Sequence, residues 1–372
     1  MANGKTLCIA TGIYPPDTGG PAKFAETFLS WCKESNIYAE CVSLTDATTH
    51  SDNLSSSSVY LISRNQPLVF RYWNTVKVLV TKMKSGTIVL ANGLFLETYI
   101  ASILSRKEYF CKVPGDIVWE RARNRNLTNK SIDDFQDSKL SFKYRVFRTL
   151  FSKSLKRAKG VIVPSQHLFN LCILWGVKES NLHLIYNSVD TERFQPQKET
   201  EVLFDVLVVN RLVPWKHVDE VIIACAQLNL HLAVVGDGPE RNSLEMLART
   251  KGGKVTFFGE VNQANLPKLF QSASCYVLNS SFEATSYSLL EARSSGLFCI
   301  ANGSTGSDEI IHHGIDGLLC NKSDFKLSDA LKQFTIDHEF VKSARNLAMI
   351  DTRSRFDLQI NFRLIKELVL TT

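Results

Sequence analysis

The chain has 372 residues, 44% of them hydrophobic and 22% charged, which allows two domains with cores of their own and excludes a disordered or fibrous chain. Its formal net charge of +6 suits an anionic ligand or surface. With no zinc-finger spacing, aromatic-basic RNA motif or long Lys/Arg tract, dedicated nucleic-acid binding is excluded.

An apolar strand is predicted at residues 6–11, and the residues before it carry no signal-peptide pattern. It runs into the loop holding Gly19 and Gly20, and a helix follows, with Pro21 suited to its first position. Further buried strands are predicted at 38–44, 87–91, 109–113 and 160–163, most of them separated by helical patterns. Residues 87–104 are apolar but contain Asn92, Gly93 and Glu97, so they read as strand–turn–helix and not as a membrane span. The alternation indicates a parallel α/β sheet. It begins again with strands at 204–209, 232–235, 255–258, 275–278 and 297–301 and helices at 218–228, 238–250 and 266–271. Residues 188–200 are polar, carry Pro196 and read as a linker. The tail, 356–370, is helical by pattern. Nine cysteines are scattered without a CxxC, mostly in apolar strand or helix patterns, and read as reduced core residues in a reducing compartment.

Glu283 and Glu291 have seven residues between them. On one continuous helix eight positions advance about 12 Å and roughly 80° past two turns, so the two carboxylates would not share a ligand atom. The spacing makes sense if Glu283 lies in a loop and Glu291 on the following helix. Loop, helix N-terminus and second carboxylate then line one crevice, suited to a diphosphate flanked by hydroxyl-rich rings. Arg211 and Lys216 follow the first strand of the second unit, where open α/β sheets bind ligands, and offer charge for a diphosphate. Gly236-Asp237-Gly238-Pro239 makes another strand–turn–helix start, more simply a structural turn. Asp116 follows the strand at 109–113; it reads equally as a crevice-facing acid or as a helix N-cap. Residues 139–159 carry eight Lys/Arg interleaved with Phe142, Val146, Phe147, Leu150, Phe151 and Leu155. They fit either a basic amphipathic helix on an anionic membrane or an ordinary packed helix with a solvated basic face. No Asp-x-Asp or metal-spaced His/Cys/carboxylate cluster is present, so no divalent metal or other cofactor is expected.

Together these motifs resemble the family-4 retaining glycosyltransferases of the GT-B fold, across nearly the whole chain. The resemblance rests on the Gly19-Gly20 loop, the junction residues 185–194, Arg211 with Lys216, residues 236–239 and the Glu283/Glu291 motif. It implies two Rossmann-like doubly wound domains facing each other across a crevice: residues 1–187 with a C-terminal helix at 355–372 packing back, and residues 201–354. It implies transfer of a sugar from a nucleoside diphosphate sugar to a hydroxyl acceptor, a glycan or lipid-linked glycan, with retention. Glu291 would bind the donor ribose, and Arg211 and Lys216 the diphosphate. Glu283 with the backbone at Ala284, Thr285, Ser286 and Tyr287 would hold the sugar and α-phosphate. Gly19, Gly20 and Gly238 would approach the donor, and Asp116 falls near the catalytic-site histidine of many members. Glycines common after the first Glu are replaced here by Ala284, Thr285 and Ser286, which narrows the pocket. A nucleotide-sugar epimerase of the same fold and a non-catalytic partner subunit are the alternatives. The expected location is cytoplasmic, with peripheral contact to the inner face of a membrane through 139–159.

Overall fold

The computed structural model describes residues 6–46, 58–197, 201–303, 306–321 and 324–371. Residues 1–5, 198–200 and 372, which the sequence reading assigned to the first domain, the linker and the C-terminal helix, lie outside the described residues. The chain divides into two compact units, one of residues 1–185 with 362–372 and one of residues 186–361.

The first unit runs β1 (Leu7–Thr11), α1 (Gly20–Glu34), β2 (Ala39–Thr45), β3 (Val59–Ser63), α2 (Leu68–Lys84), β4 (Ile88–Asn92) and α3 (Phe95–Ser105). It continues with β5 (Phe110–Lys112), α4 (Ile117–Asn124), α5 (Ile132–Gln136), α6 (Phe142–Arg157), β6 (Gly160–Val163), α7 (Gln166–Leu174) and β7 (Leu182–Leu184). Its strands pair in parallel in the order β3-β2-β1-β4-β5-β6-β7. Strands covered on both faces read as unbroken apolar runs, as Leu7–Thr11 does with all five residues buried. Helix α6 buries Phe151, Ser154 and Leu155, with the Phe151 ring 5.3 Å from that of Phe95 on α3. Lys143, Arg145, Lys153, Lys156 and Arg157 are exposed, as are Phe142 and Val146, whereas Arg148 is half-buried and donates to the Gln136 carbonyl at 3.1 Å.

The second unit runs β8 (Phe204–Val209), α8 (Val218–Gln227), β9 (Leu232–Val235), α9 (Arg241–Lys251), β10 (Val255–Gly259), α10 (Leu266–Gln271), β11 (Ala273–Leu278) and α11 (Tyr287–Ser294). After these come β12 (Phe298–Asn302), β13 (Leu318–Cys320), α12 (Leu327–Ile336), α13 (His338–Arg355) and α14 (Leu358–Thr371). The parallel order is β10-β9-β8-β11-β12-β13. One core cluster lies on each side of this sheet: Val206, Val208 and Val234 belong to one, Leu207, Tyr276 and Leu278 to the other. Helix α9 starts three residues later than its sequence pattern suggests, because Gly238-Pro239-Glu240 form a turn in which the Glu240 N–H donates to the Leu212 carbonyl.

The segment read as a linker is packed into the second unit over its described part. Val189 and Phe194 are core residues, Val189 exchanges backbone hydrogen bonds with Phe356 and Leu358, and Thr191 Oγ1 donates to Asp357 at 2.6 Å. Single anchors in an irregular chain leave no periodicity to read. The last helix passes from one unit to the other. Phe362 enters the first unit's core, its ring 4.9 Å from Phe28 and 5.8 Å from Trp31. All nine cysteines are unpaired and buried, and burial pushes the Cys32 thiol up to about 12. Among the described residues no helix is long and apolar enough to cross a membrane.

Candidate active site

The carboxyl ends of β8 and β11 define the site. β8 lies between β9 and β11, so the chain leaves β8 in one direction and returns on its other side. The loops after β8 and β11 therefore both lie at this switch point, the place where open α/β sheets bind ligands. Arg211 and Lys216 lie in the first loop, Glu283 to Ser286 in the second, and Glu291 one turn into α11, so the two glutamates occupy loop and helix respectively.

The two loops are stitched together. Lys216 Nζ makes an ion pair with Glu283 Oε1, both side chains 16% exposed. The Ser281 N–H donates to the Trp215 carbonyl at 3.0 Å. Asn279 Nδ2 donates to Glu220 Oε2 at 2.7 Å and to the His217 carbonyl at 3.3 Å. Arg211 is exposed, and among the described residues its guanidinium makes no ion pair or hydrogen bond. One cation at the site is thus already neutralised by a carboxylate and a second is not.

Helix α11 begins with a hydroxyl cluster. Ser286 is its N-cap, accepting from the Leu289 N–H at 3.3 Å. Its Oγ lies 3.1 Å from that of Ser288, which accepts from the Tyr276 hydroxyl at 2.7 Å. Burial, aided by the neighbouring Glu283 and Glu291 carboxylates and opposed by the hydrogen bond to Ser288, holds the Tyr276 phenol well above its ordinary range. Tyr276 therefore remains a neutral hydroxyl in the field of both carboxylates. Thr285 is buried, and its carbonyl accepts from Asn187 Nδ2 at 3.0 Å. Glu291 is 3% exposed, so its carboxylate is largely out of water.

Two glycines set the backbone here. Gly306 sits at φ +87°, where a Cβ would lie 2.1 Å from the Glu283 carbonyl and 2.4 Å from that of Ala284. A Cβ on Gly238 would lie 2.3 Å from the Leu212 carbonyl. Gly238 thus braces the loop that carries Arg211 and Lys216.

Beneath the site, α11 carries a cation that the sequence reading missed. Arg293 is fully buried and pairs with Asp316 and Asp351, each at 2.9 Å. Asp351 also pairs with Arg355 at 2.6 Å, and Asp316 accepts from the His312 N–H and ring. Burial alone would raise the Asp316 pKa, but Arg293 and His312 outweigh it and hold the carboxyl below its ordinary value. Donor atoms of His312, Asp316 and Asp351 lie within 4.8 Å of one another, a spacing a metal could use, yet Arg293 already occupies both carboxylates. The signal was present in the sequence: Arg293 stands between Ala292 and Ser294 in a stretch that is otherwise uncharged from Ala292 to Gly306.

The remaining expected residues belong to the first unit. Gly19 precedes α1 and Gly20 is its first residue. Asp116 is the N-cap of α4 and is 1% exposed. Its Oδ1 accepts from the Val118 and Trp119 N–H groups at 2.9 and 3.1 Å, and its Oδ2 from Gln136 at 3.0 Å. Of the two readings of Asp116, this geometry is the N-cap.

The chain matches two families, Glycosyl transferases group 1 over residues 189–348 and Glycosyltransferase Family 4 over residues 127–193. It is 27% identical over 185 residues to a GDP-mannose-dependent alpha-(1-6)-phosphatidylinositol monomannoside mannosyltransferase of Mycobacterium tuberculosis, covering 43% of this chain and 48% of that protein. The chain thus spans about half the length of that curated relative. An uncharacterized glycosyltransferase of Methanocaldococcus jannaschii is 26% identical over 342 residues, 84% of each chain. The crystal structure of Anabaena HepE with UDP superposes with a TM-score of 0.78 at 20% identity, over 99% of this chain and 100% of that one, a likeness of fold. By these matches, and by two doubly wound parallel sheets with the Glu283/Glu291 motif at a switch point, the chain belongs to the family-4 glycosyltransferases of the GT-B fold.

Proposed function

We propose that this glycosyltransferase moves a sugar from a nucleoside diphosphate sugar to a hydroxyl acceptor, a glycan or lipid-linked glycan, with retention of configuration. The observation that carries the reading is the Lys216–Glu283 pair at the switch point, with Glu291 one turn into the next helix. An ammonium has three donors, so Lys216 can keep Glu283 and still reach a phosphate oxygen. Arg211 supplies a second positive charge, with a planar fork suited to phosphate. These two cations and the α11 dipole are assigned the charge that grows on the leaving diphosphate, with no step given to a divalent cation. Glu283 is assigned to sugar hydroxyls and Glu291 to the ribose. In the transfer the bond from the anomeric carbon to the diphosphate oxygen breaks. A bond to the acceptor oxygen forms on the same face, and the acceptor proton passes to the departing phosphate oxygen. Asp116 is given no part in this chemistry. The basic helix α6 is read as the element that brings the first unit to an anionic membrane face.

UDP in the HepE complex and GDP-mannose in the mycobacterial relative's name define the donors to try. Thermal-shift titration with UDP, GDP and their sugars should raise the melting temperature in proportion to the logarithm of ligand above its dissociation constant. Lys216→Ala and Glu291→Ala should each abolish transfer and weaken that shift. Near-normal donor affinity and turnover in both variants would sink the assignment.

A further inference from the structure

The sheet of the first unit has a switch point of its own. β1 lies between β2 and β4, so the chain leaves β1 toward one edge and later returns to β4 on its other side. A Cβ on Gly12, just past β1, would meet no atom within 4 Å, so the surface there is open. Helices α2, α3 and α4 lie on connections that step the same way, from β3 to β4, β4 to β5 and β5 to β6. Right-handed crossovers put these connections on one face, and each helix starts at the carboxyl edge of the strands. Arg71 and Tyr72 lie near the start of α2, Glu97 in the first turn of α3 and Arg121 in α4, and α2 packs on α3.

These four side chains stand together without serving one another. Arg121 and Arg71 both bear on the Glu97 carboxylate, and Glu97 bears on the Tyr72 phenol. Yet among the described residues Glu97 makes no ion pair, and neither guanidinium makes an ion pair or a hydrogen bond. The Tyr72 hydroxyl oxygen is shut off from solvent and has no hydrogen-bond partner. Arg121 lies instead over the Phe147 ring, 4.3 Å from its centre. Burial raises the Glu97 pKa, and its own N–H, Arg121 and Arg71 offset only part of this. Polar groups in a packed unit are normally closed on each other. Here they are left open, with Glu97, Arg71 and Tyr72 half-buried and Arg121 exposed.

The set suits a ligand that both gives and takes hydrogen bonds. A carboxylate only accepts and a guanidinium only donates. An anion would meet the two arginines but be repelled by Glu97, and a cation would do the reverse. A hydroxyl satisfies both at once, donating its proton to Glu97 and accepting from a guanidinium. Two neighbouring hydroxyls on one ring match the two oxygens of the carboxylate and the planar fork of an arginine. Beside them Trp73 is 54% exposed, its ring edge-on to that of Tyr72 at 6.4 Å, and offers an apolar face to a sugar ring.

We propose that Glu97, Arg71 and Arg121 bind a pyranose through vicinal hydroxyls at the switch point of the first sheet, with Trp73 against the ring. The inference deepens the reading of a hydroxyl acceptor and rests on it only for calling that pyranose the acceptor. Saturation-transfer NMR on the full chain, without any donor, tests it with the methyl α-pyranosides of glucose, mannose and galactose. At least one is expected to take up saturation and to bind in the millimolar range. Glu97→Gln and Arg121→Met should each weaken that binding about tenfold or more, as loss of a charged hydrogen bond implies. The Arg121 side chain is exposed, so Arg121→Met should keep the wild-type melting temperature and carries the test should Glu97→Gln lose stability. Inorganic phosphate should not compete. The proposal is overturned if none of the three pyranosides binds, or if a folded variant of either residue binds as well as wild type. It is equally overturned by phosphate that displaces the sugar and binds more tightly to Glu97→Gln, which would make the cluster an anion site. Nucleotide thermal shifts on the same proteins separate the two readings. Pyranoside binding without any nucleotide shift leaves the recess standing and removes the donor site, and a nucleotide shift without pyranoside binding does the reverse.

Discussion

Replacing Arg293 by Met removes the guanidinium that hydrogen-bonds Asp316, whose side chain is 3% exposed, while Asp351 keeps Arg355. Asp316 keeps its hydrogen bonds from His312 but loses its buried cation, so the uncompensated charge falls mainly there. Breaking a buried pair from one side costs about 3–5 kcal/mol, and the retained Asp351–Arg355 pair puts this case near the lower end, about 3 kcal/mol. Because the folded-state pKa of Asp316 is depressed, the pair's contribution is fully present above the unfolded carboxylate pKa of about 3.9 and is lost as pH falls through the lower folded value. The stability gap between wild type and variant should therefore be flat from about pH 5 to 8 and shrink below about pH 4. Urea unfolding read by hydrogen exchange in α11 and α13 peptides localises the loss to the second unit. Arg293→Met/Asp316→Asn should recover part of it, since a neutral amide is less costly to bury than an unpaired carboxylate. A loss under about 1 kcal/mol, or a gap as wide in acid as at neutrality, would refute the reasoning.

Burial lowers the Lys112 pKa to about 7, and its ammonium stands 4.6 Å from the centre of the Phe24 ring. The unfolded chain holds that proton up to about pH 10.4, so the cost of burying the charge is complete below pH 7 and fades as pH rises toward 10. Lys112→Met should raise the melting temperature at pH 6–7, by a gain on the order of a few kcal/mol, and this advantage should disappear near pH 10; an equal gain at both pH values would contradict it. Gly306→Ala should cost about 1–3 kcal/mol and weaken nucleotide binding, since the new methyl must displace the Glu283 and Ala284 carbonyls. Unchanged melting temperature and affinity would show that this loop yields freely.

Much of the architecture could be read because its strands are buried on both faces. Residues 204–209 and 232–235 coincide with β8 and β9, each an apolar run ended by a turn. β3 escaped because this edge strand is mostly only partly buried, with Tyr60 51% exposed and Ile62 its one buried residue, so no buried apolar run marks it. β7 and β13, at three residues each, are too short to show a period. α2 was hidden by its exposed apolar first turn, which breaks the amphipathic stripe. At the site, the loop-and-helix placement of Glu283 and Glu291 followed from spacing alone. The Lys216–Glu283 pair did not, because the partners are 67 positions apart in sequence and come together through the β8–β11 pairing. Asp116 shows the limit of local reading: Gly-Asp at the end of a strand looks the same whether the carboxylate caps a helix or faces a substrate.

The route of α14 has a consequence for the order of assembly. Residues 186–361 interrupt a unit whose last contribution, Phe362 onward, closes over the stacked Phe24, Phe28 and Trp31 rings. During synthesis the first unit must wait, its aromatic cluster uncovered, until some 180 further residues have been made. The second unit is contiguous and has no such delay, so a nascent chain stalled near residue 361 would carry a finished second unit and an unfinished first one. A shortened chain ending there should attract chaperones through those rings, whereas residues 186–361 expressed alone should not.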